Sequence, residues 1–345
     1  MTSSEAWRTI RSLRADPPSR VSESFKERGR RRVWHAGLEQ AQQQFDAAAS
    51  VGYDSRPLNL FYGLSQAGRA IAAGSHRLSG RATWQASGHG IKFSEGRVRS
   101  DGLWGSVSKV VPTNDDLFSV VGAALGYPVG GGGAAVGALV SQLPEFQYEF
   151  GVVGGELPAL SLHGISAQVP QLPPPAGLDV TLPGVTLTSE TTADEISRVS
   201  ERYPALGGLP PWIGSDGTVL GSVGTGTVIL QVDDRERLAF DGAWFKPVGM
   251  RRYRRHSFIF PRIAGLDEEL HPLQSWWLVL HALSILTRYA PDVRTQMLTI
   301  SESRDASRIE FLLDTALSAV PELIAEVIDE ELQQEGFEAS ESDAS

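Results

Sequence analysis

The sequence predicts an α+β fold: N- and C-terminal helices form one discontinuous helical domain, with a strand-rich segment inserted between them. Three observations carry this. Residues 36–73 and 272–333 hold apolar side chains at helical spacing. Residues 91–262 are dense in Gly and Pro and broken into short β-branched or aromatic runs. Each helical end is too small to close a core alone, yet both carry broad apolar faces, so they are expected to pack together. The expected division is 1–90, 91–262 and 263–335, with 336–345 a frayed acidic tail.

The leading segment 1–35 carries nine bases and four acids, including the run Arg28, Arg30, Arg31 and Arg32. Such a run fits either an acidic or nucleic-acid partner or arginines that pair with acids elsewhere in the fold. Leu38, Ala41, Phe45 and Ala48 make one stripe of a helix over 36–49. Pro57 suits the first turn of the next helix, whose apolar face is Leu58, Phe61, Leu64, Gly68 and Ile71. Gly63 and Gly68 lower its propensity and predict close approach by another backbone. Strands are expected at 146–153, 160–162, 180–182, 218–223, 227–232 and 256–260, and loops at 130–133 and 170–175. The continuously apolar interior of 227–232 suits a strand buried on both faces. After Pro272 a helix apolar nearly all round is predicted, then a long amphipathic helix over 306–333 that Pro321 should kink or restart.

Composition excludes some chemistry. There is no cysteine, so disulfides, thiolate metal sites and cysteine nucleophiles are absent. The net charge of −10 is concentrated: residues 321–345 hold nine acids and no Lys or Arg, which leaves residues 1–320 at −1. The acidity therefore does not exclude an anionic ligand or RNA, and the strand at Arg251–Arg255 is itself basic. No apolar run approaches the ~18 residues of a membrane span and no signal peptide is legible, so a cytoplasmic location is expected.

Catalytic motifs are scarce. There is no Walker phosphate loop, and Gly221–Gly226 lies between two strands rather than before a helix, so a hairpin turn is expected there. No nucleophile elbow occurs, and the seven histidines show no metal-ligand spacing, so no metal or cofactor is expected. An Arg, four to six intervening residues and then a His is the pattern of metal-independent HEPN ribonucleases, in which Arg stabilises the phosphorane and His moves the proton. Arg28/His35, Arg30/His35, Arg69/His76 and Arg251/His256 fit, against roughly 1.6 expected by chance. Arg69/His76 stands out because Arg69 lies on a small-residue helix resembling the second helix of HEPN folds. By that resemblance Arg69 and His76 would be catalytic.

Four blocks carry a further resemblance. They are Arg56–Ala73 (RPLNLFYGLSQAGRAIAA), Gly88–Ile91 (GHGI), Phe258–Pro261 (FIFP) and Leu283–Pro291 (LSILTRYAP). Together they resemble the YaaC-like family, in family order and across most of the chain. The pattern departs after Pro291, where an aromatic residue is expected and Val293 and Arg294 stand. The resemblance implies a recognition or adaptor protein, the sensing half of a two-gene bacterial anti-phage system, with a protein partner encoded nearby. Its polar signature residues are Arg56, Tyr62, Gln66, Arg69, His89, Arg288 and Tyr289. Tyr62, Gln66 and Arg69 share one helix face by their spacing of four and three. If the helical ends pack, the set forms either a buried hydrogen-bond network clamping them or an anion pocket fed by Arg56, Arg69 and Arg288.

Overall fold

The computed structural model describes residues 2–80, 84–113, 115–154, 156–161, 176–232, 238–240, 245–247, 249–299, 301 and 303–333. Helical N- and C-terminal regions flank a strand-rich middle, the α+β arrangement with a discontinuous helical domain. Two compact units result, Met1–Val140 with Ala264–Ser345, and Ser141–Ile263. Residues 91–140 thus belong with the helices rather than with the insertion, because their short strands and helix pack into the helical core.

The first fifty residues form three helices: α1 (Ser3–Ala15), α2 (Ser19–Ser24) and α3 (Arg30–Ser50). A capping box of Thr2 and Glu5 starts α1, whose Ala6, Trp7 and Ile10 are buried. Helix α4 (Arg56–Gly74) returns antiparallel along α3. The close approach predicted at its glycines is made by rings rather than by backbone. A β-carbon on Gly63 would lie 2.6 Å from the Phe45 ring, and one on Gly68 would lie 2.2 Å from Trp277. Next come β1 (Ile91–Phe93), α5 (Val98–Gly105), β2 (Val107–Val110), α6 (Leu117–Leu125), β3 (Gly132–Ala135) and α7 (Val136–Ser141). The strands form one antiparallel sheet in the order β1-β2-β3. Gly132 and Gly133 were expected in a loop but lie in β3, where the missing side chains let Gly133 N–H donate to Gly265 O at 2.8 Å.

The second unit opens with α8 (Pro144–Phe150), where a strand was expected. Pro144 opens its first turn and Phe146 is its buried anchor, while Glu145 accepts from Tyr253 Oη at 2.6 Å and from Arg254 at 2.5 Å. Strand β4 (Leu160–Ser161) and β5 (Ala176–Thr181) come next, then α9 (Ala193–Ser200) and β6 (Thr227–Val232). Last are β7 (Leu238–Phe240), β8 (Phe245–Pro247), β9 (Arg251–Tyr253) and β10 (His256–Ile259). Their sheets pair β5 with β6, β7 with β8, and β4-β10-β9. Strand β6 alternates fully and partly buried residues, so only one of its faces is deep core; Val228, Leu230 and Val232 meet Leu178, Val180, Ile196 and Tyr203 there. Residues 218–223 contribute isolated bridges rather than a strand, and Ser222 N–H donates to Thr227 O across the 221–226 turn at 2.9 Å. The proline-rich 170–175 and the acidic tail 336–345 lie outside the described residues.

The chain then returns to the first unit with α10 (Pro272–Tyr289), α11 (Pro291–Leu298) and α12 (Ala306–Asp329). His271 caps α10, accepting from Leu273 N–H through Nδ1. Helix α10 is buried along most of its circumference and packs on α4, β1 and α12. Pro321 lies inside a continuous α12 instead of restarting it. The carbonyl its missing N–H leaves free, Leu317 O, accepts from Ser3 Oγ of α1 at 2.8 Å. No helix among the described residues is long and apolar enough to cross a membrane.

Candidate functional site

The signature residues separate into two groups. Arg56 belongs to the frame. Its Nε donates to Ala48 O at 3.0 Å and its Nη2 to Val51 O at 3.3 Å, its Nη1 pairs with Asp314, and its guanidinium lies over the Tyr53 ring. At the opposite end of the same helix pair, Arg30 donates to the carbonyls of Ala72, Ala73, Ser75 and Leu78 and pairs with Glu27. The first residue of each helix therefore caps the last carbonyls of the other. Arg294, at the departure from the family pattern, donates to the carbonyls of Tyr53 and Asp54; burial pulls its guanidinium down to about 10, which keeps it charged at neutral pH.

The second group converges. Helix α4 supplies Phe61, Tyr62, Gln66 and Arg69; α10 supplies His281, Arg288 and Tyr289; the turn before β1 supplies His89. Gly88 and Gly90 stand at φ +69° and +72°, and this left-handed pair turns the chain sharply on both sides of His89. A β-carbon on Gly90 would also collide with the carboxylate of Asp116, which caps α6. The backbone of the turn is tied down where His89 O accepts from Phe118 N–H and Gly90 O from Val111 N–H, at 3.3 and 2.8 Å. The glycines thus serve to aim one histidine.

Phe61 is fully buried at the centre, with the His89 ring 5.1 Å and the His281 ring 5.2 Å from its own. Arg288 Nη1 donates to Tyr62 Oη at 3.4 Å, and its guanidinium lies 5.3 Å from the Tyr289 ring. Arg69 Nη1 donates to Ala86 O at 2.9 Å. Among the described residues neither Arg69 nor Arg288 has a carboxylate partner. Three buried atoms here, His89 Nδ1, His281 Nδ1 and Arg288 Nε, have no hydrogen-bond partner among the described residues. Leaving such groups unsatisfied costs on the order of 1–3 kcal/mol each, so this is where a polar ligand or ordered water gains most.

The charge balance points the same way. Burial, then the Arg288 and Arg69 cations, hold His89 below the ordinary imidazole value. His281 is only 3% exposed, and burial, then His89 and Arg288, push it down to about 3. At neutral pH both imidazoles are neutral, and among the described residues the two guanidiniums that act on His89 have no carboxylate partner, so the local charge is positive. Among the described residues no group of three or more His, Asp or Glu is placed to hold a metal ion.

Of the predicted residues, Tyr62, Arg69, His89, Arg288 and Tyr289 fall within this group; Gln66 shares the α4 face with Tyr62 and Arg69. Arg56 sits thirteen residues before Arg69, about 20 Å along the helix axis, and is committed to α12 and the α3–α4 turn. No hydrogen bond joins Arg69 and His76 among the described residues: His76 is exposed on the turn after α4, while Arg69 donates to Ala86 O. Arg30 of the pair with His35 is consumed as a cap, and Arg251 and His256 lie on paired strands. Sequence reasoning missed His281 and Phe61. The spacing of seven between His281 and Arg288, two helical turns, is the signal that places them on one face.

Comparison with curated proteins and with solved structures returns no match. The family model described as YaaC-like Protein matches residues 15–328, a span that includes α4, the Gly88–Ile91 turn and α10. A match of that length, through every element that builds the site, means that this chain belongs to the YaaC-like family.

Proposed function

We propose that this protein recognises an anionic ligand through Tyr62, Gln66, Arg69, His89, Arg288 and Tyr289, and that it is a sensor or adaptor rather than an enzyme. The observation that supports this most is the pair Arg69 and Arg288, which has no carboxylate partner among the described residues and flanks buried polar atoms without hydrogen bonds. Catalysis has less support, because the Arg69/His76 pair has no shared hydrogen bond and His281 is buried and neutral. Within the family reading, the ligand is the trigger, and a protein encoded beside this one is the partner in a two-gene anti-phage system. Calorimetry of the full chain with inorganic phosphate should give saturable binding that Arg69→Gln and Arg288→Gln each weaken at least tenfold, while added RNA stays intact. RNA cleavage lost on His89→Ala would replace this reading with an enzymatic one. Phage challenge with and without the gene and its neighbour, followed by pull-down of the neighbour's product, tests the defence role.

A further inference from the structure

We infer that the anion carries a flat aromatic group, so that the site takes a nucleotide: phosphate on Arg69 and Arg288, base on Tyr289. This rests on the anion-recognition reading above and adds the ligand's class. Two guanidiniums from different helices, α4 and α10, both lie near enough to His89 to act on it. A planar carboxylate is satisfied by one arginine fork, whereas a phosphoryl group offers three outward oxygens that two forks can share.

The aromatic half of the ligand is argued from the surroundings of Arg288. Among the described residues two of the large hydrophobic side chains left exposed, Tyr62 and Tyr289, both meet that guanidinium, and Tyr289 is 64% exposed. It ends a helix whose other aromatic residues, Trp276 and Trp277, are wholly buried, so its exposure is a departure from the pattern of its own element. The Arg288 guanidinium lies over its ring, 5.3 Å from the centroid. The exposed part of this ring is an apolar platform beside a cation. Base stacking suits such a platform, since every base has a π-face, and the adjacent arginine strengthens it. His89, close enough to Arg288 and Arg69 to feel both charges, has an Nδ1 with no partner among the described residues, and an exocyclic base or ribose group would complete its hydrogen bond.

The test is calorimetry on the full chain with four probes: AMP, GTP, adenosine and inorganic phosphate, with a short single-stranded RNA as a fifth. Nucleotide binding at least tenfold tighter than both phosphate and adenosine is the expected result. Tyr289→Ala should lower nucleotide affinity about tenfold more than it lowers phosphate affinity, and Tyr289→Phe should restore the nucleotide preference. Tyr289 is exposed, so these variants fold. RNA binding more tightly than the mononucleotides would identify the nucleotide as part of a strand, and the reverse as a free small molecule. Phosphate binding as tightly as nucleotides, with no effect of Tyr289→Ala, overturns the nucleotide assignment and leaves the anion site standing. No phosphate or nucleotide binding that depends on Arg69 and Arg288 overturns both.

Discussion

His281 is the residue whose burial has the clearest energetic signature. Its folded pKa of about 3 lies well below the ~6.5 of an unfolded imidazole, so between those values only the unfolded chain binds the proton. The stability it permits is complete above about pH 6.5 and is lost as pH falls towards 3. At pH 5 the loss is about 2 kcal/mol relative to pH 7. Urea unfolding at the two pH values should show that difference in the native chain and a clearly smaller one in His281→Leu; equal slopes would mean the proton is taken up elsewhere. His89 adds to the same trend, with burial and two arginines lowering it. Anion binding between those arginines reverses part of that lowering, so affinity at the site should rise as pH falls from 7.5 to 6, and calorimetry in two buffers should register proton uptake. At this scale the sequence was a partial guide. Arg69, His89 and Arg288 stand out as polar residues of the blocks that resemble the YaaC-like family. Arg56 has the same appearance but serves carbonyls of the preceding helix, and spacing alone does not say which of two neighbours a guanidinium will reach.

Elements were legible where one helix face decides them. Helix α4 runs from Arg56 to Gly74 as Pro57 and its apolar stripe predict, and α10 starts at Pro272. The 146–153 segment was not, because Phe146, Tyr148, Phe150 and Val152 alternate as a strand would. Only Phe146 is deeply buried, Tyr148 is almost fully exposed, and Glu145 is held by Tyr253 and Arg254 more than a hundred residues away. A contact at that distance leaves no local trace. Pro321 is the same lesson in reverse. A proline within a helix predicts a break, but Ser3 Oγ supplies Leu317 O with the donor that residue 321 lacks. Ser3→Ala should therefore cost about 1 kcal/mol in the native chain. In a Pro321→Ala background, where the helix can make its own bond, the cost should fall to a few tenths of that, and a double-mutant cycle by urea denaturation measures the coupling. Additive effects would mean that water, not Ser3, satisfies the carbonyl.

For the whole molecule, the decisive feature is that the helical unit is made from both ends of the chain. The return to it is marked by Gly133 N–H donating to Gly265 O and by the bridge between Gly132 and Leu266, which bring the two flanks of the insertion together. Replacing residues 141–263 with a Gly/Ser linker of about eight residues, able to span up to about 27 Å, should leave a helical unit that melts cooperatively by circular dichroism. A molten, non-cooperative product would show that the second unit is needed to fold the first. Helical ends around a strand-rich middle could be read from composition and periodicity, but the place where the insertion starts could not, because β1–β3 and α6 have strand-like or glycine-rich sequences and still pack with helices. The reciprocal arginine caps of α3 and α4 bear on time as well as on stability. Every carbonyl that Arg30 and Arg56 cap lies between residues 48 and 78, so this hairpin can close as soon as it leaves the ribosome. Trp277 and His281, which cover its outer face at Gly68 and Phe61, emerge about 200 residues later, roughly 10–40 s at ordinary synthesis rates. Until they arrive, the α4 face that carries the proposed ligand-binding residues has only the earlier cover of His89 and α6, and Gly68 and Phe61 lack the rings that close over them in the finished protein.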